Sequence, residues 1–464
     1  MKNTACLLGF LKHCSIGAAA LLAPAVTTGL LSPAIEPAAA SEVAAGLQSG
    51  LQSSFQDSPK VVLDEAWQLV YQEYVDDSFN RVDWLGVRQT LLSGEYASRD
   101  AAYSELRRVL RRLEDPYTRF LNPSQYAALT EQTSGEVSGI GVRLKKEDRD
   151  LVVTGTLAGS PAEQAGLKEG DVILLLDGRS GKNLTVSSAA QLIRGESGSQ
   201  ITITVRRPDN REDTLVVTRQ IVSVPTVKFE LQQQSNINVG YIQLDEFSAH
   251  AAEQMESAID TLTDQGAEAF VLDLRGNPGG LLQASIDISR MWLPRGSIVR
   301  TVDRDGNSDE ISANRTALTD LPMAVLVNGQ SASSSEIVTG ALGDNDRAVV
   351  VGNPTFGKAL VQSLHGLSDG SGLAVTVAHY YTPDGTDISS RGITPDVNVT
   401  LTEDQRRALE TNPAIRGTEA DPQFVSAVEA IQSDVMARRQ EQNPIVSTPD
   451  ERPQIPSQLG RIEP

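Results

Sequence analysis

Cysteine and histidine are scarce in this chain of 464 residues, which contains two cysteines and four histidines. Both cysteines, Cys6 and Cys14, lie in the first 40 residues, which have the character of a targeting segment. If that segment is removed, the remaining chain can form no disulfide, no thiolate metal site and no cysteine nucleophile. The remaining histidines are scattered, and neither an HExxH motif nor a catalytic carboxylate pair is found, so no metal site and no cofactor are predicted.

Stretches rich in lysine and arginine are also absent. The sequence holds 40 Lys and Arg residues against 60 Asp and Glu residues, which gives a formal net charge of −20. Because a nucleic-acid partner would require a basic face, none is expected. The hydrophobic content of 40% and the charged content of 22% are ordinary for a soluble globular protein, and the length predicts roughly two to four domains.

Residues 1–40 have the pattern of a cleavable signal peptide. Two lysines and an uncharged apolar run, residues 17–31, precede three alanines that end at Ala40. A retained membrane anchor is the alternative interpretation, but Pro24 and Pro33 make this run a poor spanning helix. Cleavage after Ala40 predicts an acidic, exported and soluble protein with no integral membrane segment.

The rest of the chain changes character several times, which predicts an organisation in distinct parts. Residues 41–134 begin with a small, polar lead-in and continue with three predicted helices. Residues 135–223 hold short alternating strands, whereas residues 224–400 alternate buried strands with helices, as in an α/β fold with a central sheet. Residues 401–441 predict two further helices, and residues 442–464, rich in Pro, Ser, Gln and Glu, predict a disordered tail.

The block of short strands contains two glycine-containing segments, GIGV at residues 139–142 and SPAEQAGLKEGD at residues 160–171. Together with the strands and a helical segment at residues 187–194, they resemble a PDZ domain. Glycine-rich backbone can form a nest of N–H donors for a C-terminal carboxylate, and an exposed strand edge can accept an extended peptide. A structural domain that binds no ligand is the alternative. The peptide-binding residues that the resemblance implies are Gly139, Ile140, Gly141 and Val142.

A cluster of serines follows the predicted strand at residues 323–327. It lies in the string NGQSASSSEIVTGALG, residues 328–343. The apolar spacing after it predicts a helix that begins at Glu336 and ends at Gly343. Backbone N–H groups at a helix start favour developing negative charge, which suits an acyl-transfer nucleophile. Serine is equally common as an ordinary helix cap, so these residues alone leave both interpretations open.

A serine nucleophile requires a base, and histidine is the usual one. Outside the targeting segment, His250, His365 and His379 have no acidic residue at a suggestive spacing, so they are predicted to be structural. The other candidate is Lys358, in the turn GNPTFGKALVQ, where burial would disfavour the ammonium form. A surface lysine in a loop is the alternative.

The string RGNPGG, residues 275–280, follows another predicted buried strand and precedes a helix. In a trypsin-like protease the fourth position of such a string would be the serine, but here it is Pro278, which cannot be a nucleophile. Diglycine backbone between a strand and a helix can instead present free N–H groups to an oxyanion.

Several motifs occur in an order that resembles the carboxyl-terminal processing peptidases, also called tail-specific proteases, which use a Ser/Lys dyad. They are DPYTRFLNP, the PDZ-like block, LDLRGNPGGLL, SASSSEIVTGAL, GNPTFGKALVQ, YYTPDG and GITPD, and they span residues 115–396. The resemblance implies an α/β fold class: a crotonase-like α/β peptidase core with an inserted PDZ domain and a helical N-terminal region. It also implies a serine endopeptidase that removes C-terminal segments.

The resemblance assigns catalytic roles to three side chains. Ser333 would be the nucleophile, Lys358 the base and Gln362 an accessory group that orients the lysine. Gln362 lies four residues after Lys358, so it can reach the lysine only where the chain bends rather than continuing as a straight strand. The family usually has glycine directly after the lysine, whereas this chain has Ala359.

The resemblance also assigns roles to backbone groups and to one arginine. The oxyanion donors would be the N–H groups of Gly279 or Gly280 and of Ser334, a position at which the family usually has alanine. Ser335 is then predicted to cap the helix. Arg194 lies in a LIRG string that the family shares, and it would couple binding of the substrate tail to closure of the site.

The partner that this resemblance implies is a protein with a free C-terminus, for which the precursor of the photosystem II D1 protein is one candidate. The family implies the bacterial periplasm or the thylakoid lumen as the location. Two other functions stay open at this point: a PDZ adaptor whose peptidase domain is inactive, and a Ser-His-Asp protease with an attached PDZ domain.

Overall fold

The computed structural model describes residues 58–442 of the chain. The predicted signal peptide, the predicted lead-in up to residue 57 and the predicted disordered tail from residue 443 lie outside the described residues. Between residues 58 and 442, no helix combines the length and the apolar character that crossing a membrane requires. The same part of the chain contains no cluster of three or more His, Cys, Asp or Glu side chains that could hold a metal ion.

Helices form most of the N-terminal region, as the apolar spacing predicts. Its core contains Trp67 and Trp84, whose indole N–H groups donate to each other's backbone carbonyls at 2.7 and 3.3 Å. The side chains of Ser58, Asp83 and Ser98 accept backbone N–H groups where three helices begin, which fixes their starting points. The elements are α1 Pro59–Glu73, α2 Trp84–Ser93, α3 Arg99–Leu110 with a 3₁₀ turn Arg111–Leu113, β1 Arg119–Leu121 and α4 Pro123–Ser134.

The PDZ-like block is a small β-rich unit with its own apolar core. Its elements are β2 Glu136–Gly139, β3 Val142–Glu147, β4 Asp150–Thr156, α5 Pro161–Gln164, β5 Val172–Leu176, β6 Arg179–Ser180, α6 Val186–Ile193, β7 Gln200–Arg206, β8 Glu212–Thr218 and β9 Gln220–Ser223. The main sheet has the order β3-β4-β5-β7-β8, so β3 is an edge strand. The chain enters through β2 and leaves through β9, which pair as an antiparallel ribbon.

The α/β core follows, and its strands and helices alternate as the sequence predicts. The elements are β10 Val227–Gln234, β11 Ile237–Leu244, α7 Ala251–Asp264, β12 Ala269–Asp273, α8 Leu282–Trp292, β13 Ser297–Asp303, β14 Ser308–Ser312, β15 Met323–Val327, α9 Ser334–Asp344, β16 Val349–Gly352, β17 Leu360–Gly366, β18 Gly372–Tyr381, β19 Val397–Asn398, α10 Glu403–Thr411 and α11 Pro422–Gln442. Six strands form the central sheet in the order β10-β11-β12-β15-β16-β19. All but β10 run parallel, and β12 and β15 are completely buried, which explains their continuous apolar sequences.

A second sheet joins the N-terminal region to the core. Its order is β1-β18-β13-β14, and β17 pairs with the other edge of β18. Leu367, Leu373 and Val375, from the β17–β18 hairpin, belong to the same apolar cluster as the N-terminal helices. The N-terminal region is therefore packed against the hairpin that follows Lys358, an arrangement that local sequence patterns do not predict.

Three loops leave the carboxyl ends of neighbouring parallel strands. Residues 274–281 follow β12, residues 328–333 follow β15, and residues 353–359 follow β16. Because β12, β15 and β16 are adjacent and parallel, their following loops meet at one edge of the sheet, which is where α/β sheets bind ligands. All three loops carry residues that the sequence singles out for chemistry.

Candidate active site

Ser333 lies at the tight turn between β15 and α9. Its backbone has φ of +55° and ψ of −113°, a conformation that costs a non-glycine residue about 1–3 kcal/mol. The turn is held because the Ser333 N–H donates to Glu336 Oε2 at 2.9 Å, while the Glu336 N–H donates back to the Ser333 carbonyl at 2.8 Å. The strained turn leaves the Ser333 side chain half-buried at the helix start, where backbone N–H groups favour negative charge.

The prediction that Ser335 caps this helix is wrong. The helix begins at Ser334, two residues before the predicted start, and the N-cap residue is Ser333 itself. Ser335 is fully buried in the first turn, where its hydroxyl donates to the backbone carbonyl of Asn277 at 2.9 Å. The Ser335 side chain faces the neighbouring loop rather than the free N–H groups of its own helix, so it joins two loops instead of capping.

Lys358 is half-buried, and its amine is held by Gln362. Lys358 Nζ donates to Gln362 Oε1 at 2.7 Å. The bend that this contact requires is provided by an irregularity in the β17–β18 pairing between Val361 and Gln362. Burial lowers the pKa of Lys358, and the nearby Arg119 guanidinium lowers it further, whereas two carboxylates act in the opposite direction. The structure therefore brings Gln362 to the lysine as predicted, in surroundings that favour the neutral amine.

Glu336 joins the serine turn to the lysine turn, a role that the sequence reasoning missed. It is fully buried. Its Oε2 accepts the backbone N–H groups of Ser333 and Lys358, both at 2.9 Å. Its Oε1 accepts the Thr355 hydroxyl and the Gly357 N–H, both at 2.6 Å. The string from Ser333 to Glu336 fits the S-x-x-E pattern of a capping box, so the sequence could have indicated the contact of Glu336 with the Ser333 N–H. It could not have indicated the contacts of Glu336 with residues 355, 357 and 358.

Tyr380, on β18, adds a second link between the two turns. Its hydroxyl lies 3.2 Å from the Ser333 carbonyl oxygen and also within hydrogen-bond distance of the Lys358 carbonyl oxygen. A phenol has one proton, so it donates to one of these carbonyls at a time. Burial raises the pKa of Tyr380 well above its ordinary value, and the Glu336 carboxylate adds to this, so the phenol stays neutral. No hydrogen bond joins Ser333 Oγ to Lys358 Nζ among the described residues; the turns are joined through Glu336 and Tyr380.

The diglycine loop lies directly against the serine turn. A Cβ atom on Gly279 would come within 2.8 Å of the Ala332 carbonyl oxygen and 3.0 Å of Ser333 Cβ, so only glycine fits there. The Gly279 N–H already donates to Asn277 Oδ1 at 2.9 Å. Within residues 58–442, the N–H groups of Gly280 and Ser334 have no hydrogen-bond acceptor. Of the two candidate glycines, Gly280 is therefore the one with an available donor.

Asn277 holds this loop in place, and the sequence reasoning did not single it out. It is fully buried, and its side-chain N–H donates to the Leu244 carbonyl at 2.8 Å. Its own carbonyl accepts the Ala332 N–H at 3.1 Å as well as the Ser335 hydroxyl. The diglycine loop and the serine turn are consequently one hydrogen-bonded unit.

Below the loop, Arg275 forms a buried ion-pair network. Its guanidinium donates to both carboxylate oxygens of Asp273 and both of Asp421, at distances of 2.6 to 3.0 Å. Tyr241 also donates to Asp273, at 2.6 Å. Asp421 directly precedes α11, so the C-terminal helix is attached to the loop that carries Gly279 and Gly280.

In the part of the chain that the structure describes, no hydrogen bond joins His250, His365 or His379 to Ser333. Nε2 of His250 lies 3.1 Å from Glu136 Oε1, and Nε2 of His365 lies 2.8 Å from Glu73 Oε2. His379 is exposed on β18. Glu136 and Glu73 are more than a hundred residues away from these histidines in the chain, so the sequence spacing does not reveal them. His250 Nδ1 also lies 3.8 Å from Oε2 of Glu253, an exposed residue three positions further on.

The predicted peptide-binding loop lies beside the free edge of β3. Gly139 ends β2, and Ile140 buries its whole side chain in the PDZ core, so only its backbone can face a ligand. Gly141 has φ of +73°, and Val142 begins the edge strand. Arg194 follows α6, and its Nε lies 3.4 Å from Glu131 Oε1 on α4. Among the described residues, no hydrogen bond or ion pair joins these residues to the serine or lysine turn, so the PDZ-like block is a separate candidate site.

Comparison with known proteins agrees with this division. The model of peptidase family S41 matches residues 238–399, and the model of the PDZ domain matches residues 129–206. The chain is 43% identical over 376 residues to the carboxyl-terminal-processing protease of Picosynechococcus sp., covering 80% of this chain and 88% of that protein. It is 39% identical over 361 residues to the chloroplastic C-terminal processing peptidase of Tetradesmus obliquus, covering 74% and 77%.

A solved structure, named photosystem II D1 C-terminal processing protease, is 37% identical and superposes with a TM-score of 0.50 over 79% of this chain and 99% of that one. The fold and these matches define a serine peptidase with an α/β core and a PDZ domain. The chain belongs to the carboxyl-terminal-processing protease family, which includes cyanobacterial and chloroplast members. The predicted family, fold class and enzyme class are confirmed.

Proposed function

We propose that this processing protease cuts its protein substrates with a Ser333/Lys358 dyad. The neutral amine of Lys358 takes the hydroxyl proton of Ser333 as Oγ attacks the scissile carbonyl carbon. The C–N bond then breaks, and the leaving amine takes the proton from Lys358. Water next attacks the acyl ester, with Lys358 again as the base, which releases the carboxylate product and restores Ser333.

The observation that best supports the dyad is the position of Glu336. Glu336 Oε2 accepts hydrogen bonds from the backbone N–H groups of both Ser333 and Lys358, so this carboxylate holds the two turns together. Gln362 accepts a hydrogen bond from the amine and thereby orients it. In the proposed mechanism, the oxyanion is stabilised by the N–H groups of Gly280 and Ser334, whereas Gly279 shapes the loop.

The proposed base predicts how activity depends on pH. Lys358 can accept a proton only when it is neutral, so kcat/KM is expected to rise with pH as the ammonium form disappears. Because burial and Arg119 lower the pKa of Lys358, the midpoint should lie below the ordinary lysine value of about 10.4. Initial rates on an unstructured protein substrate from about pH 6 to about pH 11, a range that includes the ordinary lysine pKa, would measure this midpoint. A rate independent of pH across this range would contradict the assignment.

We further propose that the PDZ domain recognises the free C-terminus of the substrate. The loop at residues 139–142 adjoins the unpaired edge of β3, and such an edge can accept an extended peptide whose carboxylate binds backbone N–H groups. Arg194 contacts Glu131 on α4, the helix directly before β2, and we propose that this contact couples tail binding to the rest of the enzyme. Arg194 would then signal occupancy of the domain rather than take part in the chemistry.

Tail recognition can be tested with one unstructured substrate made in two forms, with a free C-terminal carboxylate and with a C-terminal amide. The amide is expected to lower kcat/KM at least about tenfold, since it removes a charged hydrogen-bond acceptor. In Arg194→Ala, the two substrates should be cut at more similar rates than by the wild type. Equal rates on both substrates by the wild type would contradict tail recognition and leave the dyad proposal untouched.

The D1 precursor of photosystem II is the proposed natural substrate, and an exported compartment, either the periplasm or the thylakoid lumen, is the proposed location. The similarity to the D1-processing protease and to cyanobacterial and chloroplast relatives supports both. A synthetic D1 precursor tail should be cut at one position by the wild type. Cleavage no faster than that of a scrambled tail would contradict this substrate.

A further inference from the structure

The ring of Tyr117 covers the amine of Lys358 from the side of the N-terminal region. Lys358 Nζ lies 4.6 Å from the centroid of the Tyr117 ring. This is within the distance of about 6 Å at which a cation is attracted by the face of an aromatic ring. The amine thus has two fixed neighbours, the Gln362 oxygen and the Tyr117 ring, and only the first lies in the core that the peptidase model matches.

Hydrogen bonds fix the turn that carries this ring. Asp115 Oδ1 accepts the Tyr117 N–H at 2.9 Å, and Asp115 Oδ2 accepts the hydroxyls of Thr118 and Thr376, both at 2.7 Å. The Thr376 N–H donates to the Thr118 hydroxyl at 3.0 Å. Thr376 lies on β18 directly opposite Gln362 on β17. The position of the ring is therefore set relative to the same pair of strands that positions Gln362.

We propose that Tyr117 is a positioning residue for Lys358, whose ring holds the ammonium form beside Gln362 and so controls how readily the neutral base forms. The proposal rests on the proposed role of Lys358 as the base. This proposal gives the N-terminal region a function in the active site, because the turn from Asp115 to Thr118 carries the aromatic ring that covers the Lys358 amine.

The ring acts against the effect of burial. A cation–π contact stabilises the charged amine and not the neutral one, whereas burial disfavours the charged amine. The other charged groups that act on Lys358 are Asp115 and Glu336, which favour the ammonium form, and Arg119, which disfavours it. Burial raises the pKa of the Tyr117 phenol, and the nearby Asp115 carboxylate raises it further, so the ring stays neutral while the lysine loses its proton.

Fluorination tests the ring without changing its shape. Position 117 is replaced by phenylalanine and then by phenylalanines with one, two and three ring fluorines, which progressively weaken the negative face of the ring. The pH midpoint of kcat/KM is measured for each protein on one unstructured substrate. Phenylalanine should keep the wild-type midpoint, and the midpoint should fall stepwise with fluorination, by a total of about 0.5–1 pH unit. The same midpoint for every ring would overturn the proposal.

A second variant separates the ring from general packing. Tyr117→Leu keeps an apolar side chain but has no aromatic face, so its midpoint should fall while that of Tyr117→Phe does not. If both variants are less stable in thermal unfolding but keep the wild-type midpoint, Tyr117 is structural and the proposal fails. Lys358→Arg, assayed in parallel, tests the underlying dyad: an active Lys358→Arg protein would overturn the proposed function. If Lys358→Arg is inactive but the pH midpoint stays constant across the fluorinated series, only the proposed role of Tyr117 is overturned.

Discussion

Ser333→Ala and Lys358→Arg are each expected to lower kcat by about 10⁴-fold or more, because a nucleophile and its base act as one unit. Alanine removes the attacking oxygen. Arginine is also a long side chain with a positive charge, but its guanidinium does not lose a proton in proteins and so cannot be a base. Lys358→Arg is therefore the more informative of the two variants, because it prevents the proton transfer while keeping the positive charge of the ammonium form.

These variants are measured by initial rates on an unstructured protein, with cleavage sites mapped by mass spectrometry. Matched controls are Ser308→Ala and Lys228→Arg, at exposed side chains in β14 and β10, which should keep the wild-type rate. If Lys358→Arg keeps more than about a tenth of the wild-type kcat, a far smaller loss than removal of a base produces, lysine is not the base. Inactivity of His250→Ala would then favour a histidine mechanism, and inactivity of wild type on every substrate would favour a PDZ adaptor.

Glu336→Gln is expected to lower both stability and activity. The amide replaces one acceptor oxygen with an NH₂ group, which must face two of the four donors that the carboxylate now accepts. Leaving buried donors unsatisfied should lower the free energy of unfolding by about 3 kcal/mol or more. Because the serine and lysine turns would separate, kcat should fall by about 10²-fold or more even in the folded fraction.

Urea unfolding measures the first effect, and kcat well below the unfolding transition measures the second. Glu256→Gln, an exposed glutamate on α7, is the matched control and should leave both unchanged. A Glu336→Gln protein of wild-type stability and kcat would show that the carboxylate does not hold the turns together. A loss of stability alone would mean that Glu336 supports the fold but not the geometry of the dyad.

Local sequence patterns determined the elements and several of the site residues. Most helices and strands follow from the spacing of apolar residues over a few turns. The structure adds that the side chains of Ser58 and Ser98 cap α1 and α3. The serine turn between a buried strand and a helix was visible for the same reason. The expected bend before Gln362 was correct because a side chain four residues away can reach Lys358 in no other way.

Only the tertiary structure decided which groups act on these residues. Serine is a residue type that often caps helices, so Ser335 was a reasonable candidate for the cap. In the folded protein, however, the Ser335 hydroxyl donates to the Asn277 carbonyl, and Ser333 is the N-cap residue. The turn at Asp115 reaches Thr376, 261 positions away. Such contacts depend on how strands pair across the sheet, and no local periodicity records that pairing.

The sequence by itself therefore determined the family, the order of the domains and the identity of Ser333 and Lys358 as candidates. The tertiary structure decided that Glu336 joins their turns, that Gly280 has the available N–H group, and that Tyr117 covers the amine. The physical reason is the range of the interactions. The periodicity of helices and strands can be recognised within a few consecutive residues. The surroundings that set the reactivity of a buried amine are formed by segments that lie far apart in the chain.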